Sequence, residues 1–226
     1  MKNLYLFDID GTLVNIDNIH LDAYQKAYTE LLGIEVPRDI IHRTFGMIEV
    51  EQHKQIFAQM SIPIDEKVID HLVENGYKPN FAKIIKTFKI SPLEGVVNFL
   101  DELKRRGEHI GILSGHTEET GIPLLENSGL RNYFSLLGLC IEGVHKSRAD
   151  IARSILKTAR EQGLNYNKAV VIGDTDSDIR AGKSISALTI AVATGRCSAD
   201  ELRTHNPDLV LNSMKEYQKI FDLSSD

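Results

Sequence analysis

Two carboxylates one residue apart, Asp8 and Asp10, follow an apolar run at residues 4–7 and lead into Gly11-Thr12. A second acidic group, Asp174, Asp176 and Asp178, follows the apolar run at 169–172 after Gly173. If both runs are neighbouring strands, four carboxylates (Asp8, Asp10, Asp174 and Asp178) converge on one sheet edge, where they repel one another unless a cation intervenes. A donor set of oxygens, with no His or Cys spacing, suits Mg²⁺ rather than zinc or copper. The Asp-x-Asp-x-Asp run has the start of a calcium loop but lacks its glycine and glutamate, so that reading is set aside. Ser114-Gly115, after the run at 110–113, offers a hydroxyl and a close backbone N–H, and the next helix can present its N-terminus to an anion. Lys146 precedes a further helix. Nucleophile, cation site, hydroxyl and lysine at the ends of different strands together describe a phosphoryl-transfer site.

The elements that must carry these residues follow from the pattern. Apolar runs at 4–7, 110–113, 136–141, 169–172 and 188–192 are continuous rather than alternating, as in parallel strands buried on both faces. Between them, Val96, Val97, Leu100 and Leu103 recur at helical spacing and stop at Gly107; Ile151, Ile155, Leu156 and Ala159 do so before Gly163. The expectation is an α/β doubly wound, Rossmann-like parallel sheet whose ligands bind beyond the carboxyl ends of the strands. Residues 15–90 break the alternation. They show helical stripes (Ile19, Ala23, Ala27, Leu31, Leu32; then Ile69, Leu72, Val73) cut by Gly33, Pro37, Gly46, Pro63 and Gly76. They are read as an all-helical cap domain, residues 15–90, inserted into a core made of 1–14 and 91–226, with hinges near 13–16 and 89–95.

With 226 residues, 32 acidic and 26 basic side chains and a net charge of −6, the chain is a poor candidate for binding nucleic acid. Two cysteines, Cys140 and Cys197, make no disulfide framework and are read as free thiols. No signal peptide and no apolar run of about 20 residues is present, so a membrane partner is not expected and the location expected is cytoplasmic.

These motifs resemble the haloacid dehalogenase superfamily of phosphohydrolases over nearly the whole chain: Asp-x-Asp-Gly-Thr at 8–12, the hydroxyl residue at 114, the lysine at 146 and Gly-Asp-x-x-x-Asp at 173–178. The helical insert, the stretch from Pro92 to Gly107 and Ala191-Val192-Ala193-Thr194-Gly195 resemble its C1-capped branch, which includes phosphoglycolate phosphatases. The resemblance implies that Asp8 attacks phosphorus and forms an aspartyl phosphate, and that Asp10 protonates the leaving oxygen and then activates water. It implies Mg²⁺ on Asp8, on the Asp10 backbone carbonyl and on Asp174, with Ser114, Gly115 and Lys146 on the phosphoryl oxygens and Asp178 orienting Lys146 or a metal-bound water. Relatives often follow the lysine with proline; here the run is Lys146-Ser147-Arg148, and Lys146 is preferred over Arg148 because a compact ammonium suits a point contact. The implied partner is a small phosphorylated metabolite, with phosphoglycolate, pyrophosphate, sugar phosphates and nucleoside monophosphates all open.

The competing readings are a phosphosugar mutase, disfavoured by Gly173 before the metal aspartate and by the lack of a cap arginine near 47–50, and a non-enzymatic phosphate-binding protein, disfavoured because a stable phosphoryl acceptor has no need of Asp10. Among the remaining polar residues, Asp176 is read as a cap or surface acid and Thr12 as a turn residue bonded to backbone. His20 is read as a histidine satisfied at the hinge, His116 as exposed, His42, His53 and His71 as solvated, and Arg43 as a surface ion-pair partner.

Overall fold

The computed structural model describes residues 2–224. Six parallel strands, β1 (Leu4–Phe7), β2 (His109–Leu113), β3 (Leu136–Gly138), β4 (Ala169–Gly173), β5 (Leu188–Val192) and β6 (Leu209–Leu211), form one sheet in the order β3-β2-β1-β4-β5-β6. The chain therefore winds outward from β1 to β3 and then returns to the other side of β1, which makes the β1/β4 junction the switch point where a crevice opens. Phe7 lies in register with both Ile112 and Ile172, so the carboxyl ends of β1, β2 and β4 are level. The third strand is shorter than its apolar run: beyond Gly138 the chain leaves the sheet, and Cys140 N donates to His116 O at 2.8 Å.

The sheet is covered on both faces, which is why its strands read as continuous apolar runs. Tyr5 and Phe7 point to one face, where Phe99 of α6 (Val96–Arg106) meets both rings edge-on. Leu4 and Leu6 point to the other, against Ile151 and Ile155 of α8 (Arg148–Glu161). Helix α6 ends in a left-handed Gly107, as the sequence led us to expect. Helices α7 (Glu118–Asn127), α9 (Asp176–Ser184), α10 (Ala199–Thr204) and α11 (Gln218–Ser224) complete the layers.

Between β1 and β2 stand α1 (Asp17–Leu32), α2 (Arg38–His42), α3 (Glu49–Gln59), α4 (Glu66–His71), a π-helical turn (Leu72–Tyr77) and α5 (Lys78–Ile85), with no strand among the described residues of that stretch. The two chain crossings into this helical layer lie side by side: Leu93 N donates to Leu13 O at 2.8 Å, and Val14 bridges Pro92. Gly76 in the π turn packs so closely on α1 that a Cβ there would stand 2.7 Å from the Ala27 Cβ. That contact seats the turn and leaves the next residue, Tyr77, facing the sheet edge. No helix among the described residues is long and apolar enough to cross a membrane.

Candidate active site

Beyond β1, which ends at Phe7, the chain leaves the strand geometry and turns at Gly11 (φ +74°), and Asp8 and Asp10 make separate sets of contacts. Asp8 N donates to Ile172 O at 2.9 Å, which continues the sheet to the edge of the crevice, and Asp8 itself is buried. Its Oδ2 lies 2.8 Å from Arg148 Nη1; the same guanidinium nitrogen contacts Asp178 Oδ1. Asp178 Oδ2 in turn accepts from Thr175 N (3.1 Å) and Thr175 Oγ1 (2.7 Å), closing a capping box at the start of α9. Asp174 is fully buried between two backbone segments. A Cβ on Gly195 would stand 1.8 Å from Asp174 Oδ2 and one on Gly11, which has φ +74°, 2.3 Å, so only glycine fits at either place. Asp174 Oδ2 accepts from Arg196 N at 3.1 Å.

Ligand oxygens of Asp8, Asp174 and Asp178 all lie within 4.8 Å of one another. Burial pushes the Asp8 carboxyl up to about 6, with Arg148 opposing and Asp178 and Asp10 adding to the rise. Burial, Asp8 and Asp178 likewise hold Asp174 well above the usual carboxylate range. Asp8 Oδ1 and Asp174 Oδ1 are buried with no hydrogen-bond partner. Two buried acids with orphaned oxygens are the signature of a site that takes a hard cation, and the oxygen-only donor set fits Mg²⁺. Asp178 is already engaged by Arg148 and Thr175.

Asp10 is held differently. Its Oδ2 meets His20 Nε2 at 2.9 Å and His116 Nε2 at 3.1 Å, the two imidazoles stacking with centroids 5.3 Å apart. His20 Nδ1 lies 2.7 Å from Tyr77 Oη, and His116 Nδ1 lies 2.9 Å from Thr120 Oγ1. Burial alone would raise Asp10, but His116 and His20 overcome it and hold the carboxyl well below its usual range. Burial lowers His20 despite Asp10. For His116 the balance is reversed: Asp10, Glu49 and Asp8 outweigh burial and raise it. Thr120 Oγ1, beside His116 Nδ1, also lies 3.2 Å from Glu49 Oε1 and 3.4 Å from Thr117 O, so it links His116 to Glu49.

Ser114 is buried at the end of β2 and, with Gly115, lines the cleft that holds Asp8, Asp10 and Arg148. Lys146 is not there. It is exposed, its backbone N donating to Asp150 Oδ2, and Arg148 takes the position expected for it. The reason is local: Ser147 caps α8, so Arg148 is the first helical residue and turns inward while Lys146 stays outside the cap. Choosing by headgroup shape missed this.

Three other residues differ from expectation. His116 is buried on Asp10 rather than exposed, and His53 is fully buried with Nδ1 2.9 Å from Tyr28 Oη rather than solvated. Thr12 is buried with no partner for its hydroxyl, so it does not bond the turn. Arg196, which sequence reasoning passed over, lines the cleft, pairs with Asp17 at 2.9 Å and lies 4.4 Å over the Phe45 ring. Its signal was its place directly after the Ala191–Gly195 segment at the end of β5.

Residues 5–192 match the family of haloacid dehalogenase-like hydrolases, and the chain belongs to that family. It is 26% identical over 212 residues to a phosphoglycolate phosphatase of Agrobacterium fabrum, covering 94% of this chain and 89% of that one. It is 23% identical over 214 residues to the pyrophosphatase PpaX of Halalkalibacterium halodurans, covering 95% and 94%. Among solved structures, a haloacid dehalogenase-like hydrolase from Streptococcus pneumoniae superposes with a TM-score of 0.78 at 20% identity over 98% of both chains. CbbY from Rhodobacter sphaeroides, in complex with phosphate, gives 0.76 at 20% identity over 96% of both. At such identities the superpositions speak for the fold.

Proposed function

We propose that this chain is a Mg²⁺-dependent phosphatase that hydrolyses a small phosphomonoester through an aspartyl phosphate on Asp8. The observation that carries the reading is the pairing of Asp8 with Arg148 at the switch point, beside the separately held Asp10. Asp8 would attack phosphorus; the P–O bond to the leaving group would break as the new P–O bond to Asp8 forms. Arg148, Ser114 and the backbone at Gly115 would hold the phosphoryl oxygens. Asp10, which is ionised, would relay a proton from the His116 imidazole to the leaving ester oxygen and later take one from the water that hydrolyses the intermediate. His20 and His116 fix its carboxylate through Oδ2, which leaves Oδ1 free for this exchange. Asp8 and Asp174, with the Asp10 carbonyl by family resemblance, would hold Mg²⁺, which when bound offsets the negative charge of Asp8 and of the phosphoryl group.

Residues 15–90 would act as a cap over a core of 1–14 and 91–226. The cleft between them encloses only about 30 Å³, room for a water or two, so the cap must lift to admit an ester. The mutase alternative gains nothing from the structure, since residue 49, on the cap side of the cleft, is a glutamate.

The test is phosphate release from an aryl phosphate, with Mg²⁺ and with EDTA, by the wild type and Asp8→Asn. Metal-dependent release that disappears in the variant supports the reading. Release that survives in Asp8→Asn removes the nucleophile and the mechanism with it.

A further inference from the structure

Glu49, the first residue of α3, is 5% exposed and faces the cleft from the cap side. Its Oε1 accepts from Thr120 Oγ1, but Oε2 is buried with no hydrogen-bond partner. A buried carboxylate oxygen left unpartnered is costly, and natural proteins keep one chiefly where something else completes it. The same side chain also forms part of the wall of a second, outer cavity of about 460 Å³, so it stands between the reaction cleft and that larger space.

Lys78 and Arg196 are already committed, and Lys54 and Lys146 stand on the wall of the outer cavity rather than of the reaction cleft. Lys78 Nζ is held by Glu74 at 2.5 Å and Glu142 at 3.1 Å, with Glu119 at 3.7 Å. Arg196 is held by Asp17 and the Phe45 ring. The residues that the helical layer contributes to the cleft include no lysine or arginine. An incoming phosphoryl group would be met by Arg148 and Ser114 from the core, whereas the rest of the substrate would meet an acid.

We infer that Glu49 selects the leaving group: the substrate carries a hydroxyl or ammonium donor for Glu49 Oε2 and no second acidic group. The inference rests on the phosphatase reading above and narrows it. It sets the chain apart from the phosphoglycolate phosphatase and the pyrophosphatase among its relatives, because the carboxylate of phosphoglycolate and the second phosphate of pyrophosphate would both be driven against Glu49. Burial pushes the Glu49 carboxyl up to about 7, with His116 and Lys78 opposing the rise.

The experiment measures kcat/KM for glycerol 2-phosphate, phosphoethanolamine, phosphoglycolate, pyrophosphate and an aryl phosphate, with the wild type and Glu49→Gln. The wild type is expected to favour one or both donor-bearing esters over phosphoglycolate and pyrophosphate by about tenfold or more, the scale on which a buried polar mismatch discriminates. Glu49→Gln, which removes the charge and keeps the shape, is expected to shrink that ratio to about threefold or less. A wild type that prefers phosphoglycolate or pyrophosphate overturns the inference while aryl phosphate release leaves the phosphatase reading standing. So does a ratio unchanged in Glu49→Gln. The wild-type ranking decides even if the variant does not fold, and glycerol 2-phosphate against phosphoethanolamine tells hydroxyl from ammonium. No release from any of the five overturns both readings.

Discussion

Arg148 Nη1 lies 2.8 Å from Asp8 Oδ2 and also touches Asp178 Oδ1, so one buried guanidinium joins the proposed nucleophile to the capping box of α9. Removing it strands two buried carboxylates. Arg148→Ala is therefore expected to destabilise the fold by about 3–5 kcal/mol and to abolish phosphate release. Arg148→Lys restores the charge on a shorter side chain that stops short of the Nη1 position between the two acids, so it should recover part of the stability and little of the rate. Lys146→Ala, on the surface, should stay within about 0.5 kcal/mol of wild type. Urea melts and aryl phosphate kinetics on the three variants check this, and a Lys146→Ala enzyme as inactive as Arg148→Ala would restore Lys146 to the site.

The same pair shows what the sequence carries and what it does not. The strand ends were readable because a parallel strand covered on both faces must be a continuous apolar run, and the polar residues that follow it must fall at the sheet edge. Asp8, Ser114 and Asp174 were placed by that rule alone, and the helical insert by its lack of strands. Which of Lys146 and Arg148 turns inward depends on where α8 begins, and that is decided by the Ser147 cap, a one-residue matter that periodicity does not resolve. His116 and His53 were misread for a related reason: burial of a lone histidine depends on partners distant in the chain, Asp10 for one and Tyr28 for the other. Glu49 shows no pattern at all until the fold brings it to Thr120.

His20 and His116 share Asp10 Oδ2, which makes them positioning residues for the proposed acid. If they orient Asp10 toward the leaving oxygen, their loss should matter most where the leaving group needs a proton. His116→Gln is expected to lower kcat for an alkyl phosphate by about 10²-fold and for an aryl phosphate with a good leaving group by under about tenfold, since acid catalysis follows leaving-group basicity. Equal losses on both esters would show that His116 merely supports the fold.

Gly195 and Gly11 clasp the Asp174 carboxylate from two sides. A Cβ at 195 would overlap Asp174 Oδ2, and the backbone on both sides leaves it little room to retreat. Gly195→Ala is expected to cost about 1–3 kcal/mol in a denaturant melt and to raise the Mg²⁺ concentration giving half-maximal rate. An unchanged Mg²⁺ requirement together with an unchanged melt would remove Asp174 from the cation site.

His53 lies within the helical layer, its ring against Tyr24, Tyr28 and Tyr77. Burial lowers it to about 3, and its Nε2 is buried with no partner, so it stays neutral in the folded chain. In the unfolded chain it titrates near its ordinary value of about 6.5. Above that pH the imidazole is neutral in both states and contributes no pH dependence. As pH falls from about 6.5 toward 3, the unfolded state takes up a proton that the folded state refuses, and stability drops by about 1.4 kcal/mol per pH unit from this group. His53→Gln, which retains a hydrogen-bonding group for Tyr28 but cannot titrate, should flatten the acid limb of the stability profile by that slope between about pH 6 and 4. Urea melts at pH 7, 6, 5 and 4 on both proteins measure it. Parallel profiles would mean that His53 is protonated in the folded chain, and that Tyr28 and Phe57 do not keep it from solvent.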